Sequence, residues 1–151
     1  MIVTFRGDSN IYKVISSTKT TTLVEDIETK QRKPVFKNKS LPIPIYKILV
    51  YTKEGTIELI ELFKEMYNKA NKLEVNCNLD DVTDVMEKLK LFLPNYDEEK
   101  IHYSHAKKII KWYNKLIRAG FDINEEYEKY IKEKKKSESN LSINAKDKQT
   151  N

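Results

Sequence analysis

The 151 residues are 39% hydrophobic and 34% charged, which allows one domain or two small ones with a modest core. The formal net charge of +5 divides into +5, −3 and +3 over residues 1–51, 52–133 and 134–151, an asymmetry that permits contact with nucleic acid without requiring it. No apolar run is long enough to span a bilayer, no signal-peptide pattern opens the chain and one cysteine excludes an intramolecular disulfide, so we expect a soluble, cytoplasmic protein with no membrane contact.

The first fifty residues predict a small β-module. β-branched and aromatic residues are concentrated in short runs, and a turn at residues 7–10 and a Pro-containing connector at residues 40–44 separate some of these runs. The five predicted strands are Ile2–Phe5, Ile11–Ile15, Thr20–Val24, Val35–Phe36 and Tyr46–Tyr51. Five short strands in so short a segment favour an SH3-like small β-barrel in residues 1–52.

Residues 53–133 predict a helical module of three to four helices, because their apolar residues recur with a period near 3.6. The first helix is predicted to start near Leu59 and the second to cover Asp80–Leu91. The predicted apolar stripe of the second helix comprises Val82, Val85, Met86 and Leu89. The overall fold class is therefore α+β.

The third helix is predicted to be capped by Ser104 and closed by Gly120, and a short fourth helix is predicted to follow from Asn124 to Ile131. From Lys134 onward the chain has few aliphatic side chains with which to offset its ordering entropy. Residues 134–151 are therefore predicted to be a disordered basic tail.

The segment Leu93–Leu116 holds the single Trp and both His, and it marks a candidate junction between the two modules at Tyr96, Asp97, His102 and Trp112. An aromatic residue on the apolar face of a helix is more often core than recognition surface, so Trp112 is predicted to be a buried anchor. The pair His102 and His105 lacks further Cys or His ligands for a structural metal site, and we interpret both as surface or capping residues. We predict no metal, no cofactor and no catalytic residue.

Two further features are open to a functional interpretation. A basic cluster near a predicted turn comprises Lys30, Arg32, Lys33, Lys37 and Lys39. These side chains are candidates for phosphate binding, although a solvated turn is the favoured interpretation. Cys77 lies in a polar loop with no evident base, which favours an unreactive thiol.

Several short strings resemble an uncharacterised two-part family of Bacteroidota proteins. They are Gly7 with Ile11–Ser16, Leu23–Glu25, Arg32, Val50–Thr52, Leu93–Asp97 and Lys107–Asn114. The resemblance covers roughly Phe5 to Gly120. It implies a small N-terminal β-module followed by a helical module, and it brings no catalytic residues with it.

The sequence thus favours a non-enzymatic binding or adaptor protein whose partner is a protein or an RNA. The alternative is an enzyme with an unfamiliar site at the junction, where Tyr96, Asp97, His102 and His105 would combine a general acid–base with orienting carboxylates. That alternative requires a concave pocket in which a histidine approaches a carboxylate. The choice between protein and RNA and the oligomeric state stay open.

Overall fold

The computed structural model describes the backbone of residues 1–149 and the side chains of residues 1–140. Its strands are β1 (Ile2–Thr4), β2 (Tyr12–Ser17), β3 (Thr21–Asp26), β4 (Arg32–Phe36), β5 (Ile43–Pro44), β6 (Leu49–Thr52) and β7 (Gly55–Glu58). Its helices are α1 (Leu59–Lys69), α2 (Val82–Phe92), α3 (Tyr103–Arg118) and α4 (Ile123–Gln149). The α+β class predicted from the sequence is confirmed.

Five of the strands form one antiparallel sheet in the order β4-β3-β2-β1-β5. A bulge between Val14 and Ser16 bends β2 where it pairs with β3. Within the described part of the chain no pairing joins β4 to β5, so the sheet is open and the predicted SH3-like barrel is not confirmed.

The predicted strand Tyr46–Tyr51 is wrong in its first half. Ile45–Lys47 form one turn of 3-10 helix, and β6 begins only at Leu49. β6 pairs with β7 in a separate two-stranded sheet, and Gly55 at the start of β7 takes a positive φ of 141° that L side chains rarely adopt. The strand pairing therefore continues to Glu58. The predicted boundary between residues 52 and 53 falls inside this hairpin.

The first two helices lie close to their predicted positions. α1 begins at Leu59 as predicted. α2 begins one residue after Asp81, whose carboxylate accepts hydrogen bonds from the N–H groups of Thr83 and Asp84. Val82 was wrongly placed in the apolar stripe, since it is 52% exposed in the first turn.

Later helix starts and the tail differ from the predictions. The N-cap of α3 is His102 rather than Ser104, and Gly120 ends the helix with the predicted left-handed conformation at φ +85°. Asp122 rather than Asn124 precedes α4, and its Oδ1 accepts the Glu125 N–H at 3.2 Å. α4 continues to Gln149 across most of the predicted disordered tail. Lys and Glu are good helix formers, and the segment has no Gly or Pro. Residues 150 and 151 lie outside the described residues.

One hydrophobic core extends across both predicted modules. Ile2, Ile11 and Ile45 from the β-region share a cluster of buried residues with Phe63 of α1 and Tyr113 of α3. A second cluster lies on the β-region alone and contains four buried residues, Val3, Phe5, Tyr12 and Val24. The division into modules at residues 52 and 53 stays a prediction. In the described chain no helix is long and apolar enough to cross a membrane.

Candidate functional site

An apolar groove of about 400 Å³ lies where the β-region meets α3. One wall is the end of β1 with the turn that follows it, together with Ile43 of β5. The other wall is β6 and the start of α1, and the floor comprises the buried residues Ile101, Ile109 and Trp112. Its volume is within the range of clefts that bind ligands.

The rim of the groove carries large apolar side chains that are exposed to solvent. Leu49 is 54% exposed, Tyr51 is 42% exposed and Ile43 is 38% exposed. Leu49 and Tyr51 lie on β6, while Ile43 faces the same groove from β5. Exposed apolar residues gathered around one concavity are typical of a binding surface, whereas single ones scattered over a surface are not.

Three cations line the same groove. Arg6 follows β1, Lys100 precedes α3 and Lys108 lies on α3. Lys100 Nζ lies 5.0 Å from the centre of the Tyr51 ring and Lys108 Nζ lies 5.7 Å from the Trp112 ring. None of the ion pairs among the described residues involves these three cations. The groove therefore presents positive charge that the described chain does not neutralise by direct pairing.

Trp112 ties the floor of the groove to the β-region. It is only 4% exposed, and its Nε1–H donates to the Ser9 carbonyl oxygen at 3.1 Å. One turn further along α3, the buried Lys115 Nζ donates to Asn10 Oδ1 at 3.1 Å. The predicted role of Trp112 as a buried residue is confirmed, and these two bonds hold the turn after β1 against α3.

Among the described residues, Asp8 is the one carboxylate that lines the groove. Its carboxylate contacts Tyr12 and Lys33 rather than the three cations of the groove. Its Oδ2 accepts the Tyr12 hydroxyl at 2.5 Å, and Lys33 Nζ is 3.9 Å away. Burial alone would raise the pKa of Asp8, but the bonds from Tyr12 O–H and Asn10 N–H, with the charges of Lys33 and Lys115, lower that pKa below its ordinary value of 3.8. Asp8 is therefore ionised at neutral pH, and its charge lies next to Lys33 rather than being paired with Arg6, Lys100 or Lys108.

We expect Asp8 to stabilise the fold in a pH-dependent way. Because its folded-state pKa lies below the ordinary value of 3.8, this stabilisation is present above that value and is lost as the pH falls through the folded-state pKa. Asp8→Asn should therefore lower the free energy of unfolding at about pH 6. The difference between the variant and the unmodified chain should become smaller as the pH falls to about pH 2, as measured by urea unfolding. Tyr12→Phe removes the hydroxyl donor and should weaken the same pH dependence. An Asp8→Asn effect that is constant with pH would contradict the assignment.

The predicted junction residues Tyr96 and Asp97 have structural roles next to the β6–β7 hairpin. Tyr96 is buried and bridges to Thr52, while the Asp97 N–H donates to the Tyr51 carbonyl oxygen at 3.0 Å. The Asp97 carboxylate accepts the Glu99 N–H at 3.0 Å within a local turn. These contacts add a short third segment to the β6–β7 hairpin.

The two histidines cap α3. The His102 N–H donates to His105 Nδ1 at 3.3 Å, and the two rings are 5.9 Å apart. Both side chains are exposed, and His105 also lines the groove. Among the described residues neither histidine is hydrogen-bonded to a carboxylate, and no group of three His, Cys, Asp or Glu residues is arranged for a metal ion.

The predicted basic cluster is not gathered into one site. Arg32 Nε donates to Glu25 at 2.9 Å, whereas Lys33 lies next to Asp8 and over the Tyr12 ring. Lys37 bonds to Ser17 and Thr18 at the far end of the β-region, and the exposed Lys39 follows in the next turn. Neighbouring residues of β4 point to opposite faces, which separates Arg32 from Lys33.

Cys77 has the surroundings expected of an unreactive thiol. It is half-buried, and burial together with the nearby Asp84 raises its pKa. The loop is instead organised by structural bonds, including the Asn78 N–H to Asp84 Oδ2 at 2.7 Å.

Comparison with known proteins finds relatives of unknown function. Residues 48–116 match a family described as Domain of unknown function (DUF6852). A solution NMR structure of a protein from Bacteroides vulgatus, a Northeast Structural Genomics Consortium target, is 29% identical to this chain, with a TM-score of 0.64. The likeness covers 79% of this chain and 85% of that protein. Both findings fit an uncharacterised Bacteroidota family.

The resemblance drawn from the sequence is thus confirmed, and its two-part layout is supported in part. The family match includes β6, Lys100 and most of α3, whereas Arg6, Asp8 and Ile43 lie outside it. No curated protein matches the chain.

Proposed function

We propose that this protein is a non-enzymatic binding or adaptor protein whose groove takes an acidic and partly apolar segment of another protein. The observation that carries the proposal is the combination of apolar walls with Arg6, Lys100 and Lys108, which no described carboxylate neutralises by direct pairing. Apolar walls favour burial of side chains, and the cations favour acidic residues beside them.

A protein partner is favoured over RNA by the chemistry of the walls. RNA binding relies on a track of cations along the phosphates and on exposed aromatic faces for stacking bases. Here the Tyr51 ring has Lys100 over it, and the predicted cluster of Arg32, Lys33, Lys37 and Lys39 is dispersed. RNA stays an outcome of the test rather than part of the proposal.

No observation favours the enzymatic alternative at the junction. The Asp97 carboxylate is used in its own turn, and His105 is bonded to the backbone of His102. A general base needs to reach both the substrate and a partner that orients it.

Two finer features are part of the proposal. The order of the open sheet and the bend at the β2 bulge suit a small barrel of the SH3-like type that is left unclosed between β4 and β5. A cytoplasmic location suits a chain whose one cysteine is free.

The proposal is tested by selecting short random peptides displayed on phage against the immobilised full chain. Enriched sequences should combine Asp or Glu with large apolar residues, and the synthetic peptides should bind with modest salt dependence. Polyuridine RNA serves as the competing probe, because phosphate binding would weaken steeply with salt. Tight RNA binding without peptide enrichment would overturn the proposal.

Reversing two charges of the rim should abolish this binding. We expect the double substitution Lys100→Glu with Lys108→Glu to weaken the selected peptide at least about tenfold, measured by isothermal titration calorimetry. The matched control is Lys19→Glu with Lys39→Glu, which makes the same change in net charge at exposed residues outside the groove. Equal affinity in both double variants would exclude the groove as the site.

A further inference from the structure

In the described part of the chain the outer edge of β6, on the side away from β7, is uncovered at Leu49, which lines the groove. In the β6–β7 hairpin Leu49 pairs with Glu58 and Tyr51 with Thr56. The Tyr51 carbonyl oxygen accepts the Asp97 N–H, so it points away from β7. Leu49 lies two residues earlier, and its N–H and C=O therefore point the same way. Among the described residues neither group makes a hydrogen bond outside the β6–β7 ladder.

The chain itself begins a third strand on this edge and then leaves it. The Lys53 N–H donates to the Asn95 carbonyl oxygen at 2.9 Å, and Tyr96 bridges to Thr52. The next residues would continue beside Leu49, but a turn diverts them: the Ile101 N–H bonds back to the Asp97 carbonyl oxygen at 2.9 Å. The edge can therefore pair with an antiparallel strand, and it is uncovered at Leu49.

The residues around this edge determine which side chains a partner strand should carry. An added strand would present alternate side chains to two sides, as every strand does. One side would meet the exposed apolar residues Leu49 and Ile43, and the rim cations Arg6, Lys100 and Lys108 would meet acidic side chains. Natural proteins cover or charge a free edge of this kind unless it is used for pairing.

We infer that the partner segment binds in extended conformation, as an added strand along the outer edge of β6. The inference rests on the proposed function and gives it a mode: main-chain hydrogen bonds to Leu49 supply affinity, while the apolar walls and rim cations supply selectivity. An acidic amphipathic helix, RNA and a second copy of this chain are the competing occupants.

The test leaves the protein unchanged and alters the peptide backbone. The enriched phage peptide is synthesised as a series with one N-methyl group at each position in turn, which removes one N–H donor while keeping the side chain. In an added strand one peptide N–H faces the Leu49 carbonyl oxygen, so methylation should cost roughly tenfold in affinity at that position and little at the positions on either side of it. Binding should also slow amide hydrogen exchange of Leu49, measured by NMR, by roughly tenfold.

The outcomes separate the mode from the function. A peptide that needs Lys100 and Lys108 but tolerates N-methylation at every position and leaves Leu49 exchange unchanged overturns strand addition while the proposed function stands. Failure to enrich any peptide, or binding that ignores the double charge reversal, overturns both. A further outcome is a Leu49 amide that exchanges slowly without any peptide and loses this protection when the protein is diluted. If the protein is also a dimer in sedimentation, a second copy of the chain occupies the edge and the inference is overturned.

Discussion

A fragment of residues 1–52 should be unfolded when it is expressed without the rest of the chain. Six of the ten buried hydrophobic residues in this segment belong to the cluster that they share with α1 and α3, and the cluster confined to the β-region has only four buried members. A chain of this length buries too little surface to fold readily by itself. The fragment also loses the bonds from Trp112 and Lys115 to the turn after β1.

The expected result is a poorly dispersed ¹H–¹⁵N NMR spectrum and no cooperative thermal transition, while the full chain shows both. Mixing the fragment with residues 53–151 should restore dispersion, because the shared core can then form. A well-dispersed spectrum of the isolated fragment would contradict this expectation and would support the two independent modules that the sequence predicts.

Local patterns in the sequence were sufficient for the elements whose pattern is regular. α1 was predicted from its apolar period, and the left-handed Gly120 from its place after the last apolar turn of α3. Irregular elements were not predictable in this way. The 3-10 turn at Ile45–Lys47 has no period of its own, and the apolar run through Tyr51 resembled one continuous strand.

The groove was missed because its parts are distant in sequence. Arg6, Leu49 and Lys108 come from three separate segments, and no pattern in the sequence links the three to one another. Of the residues at the candidate junction, Trp112 lines the groove, whereas Tyr96, Asp97 and His102 do not. Leu49 pairs with the charged Glu58 on β7, but this pairing is visible only in the structure.

Replacing Trp112 by alanine should lower the free energy of unfolding by about 3–5 kcal/mol, the usual cost of truncating a large buried aromatic residue. The Trp112 side chain is 4% exposed, and its loss would leave a cavity between α3 and the β-region. It would also leave the Ser9 carbonyl oxygen without the donor that Nε1–H provides at 3.1 Å. Urea unfolding followed by circular dichroism measures the change without relying on Trp fluorescence.

Two matched variants divide this effect into its parts. Trp112→Phe keeps an aromatic ring but removes the donor to Ser9. It should lower the free energy of unfolding by less than Trp112→Ala does, and this smaller loss should come from the missing hydrogen bond and a smaller void. Ser104→Ala, an exposed substitution in the first turn of the same helix, should change stability by less than about 0.5 kcal/mol because His102, and not Ser104, caps α3. If Trp112→Ala unfolds at the same urea concentration as the unmodified chain, Trp112 does not anchor α3 to the β-region.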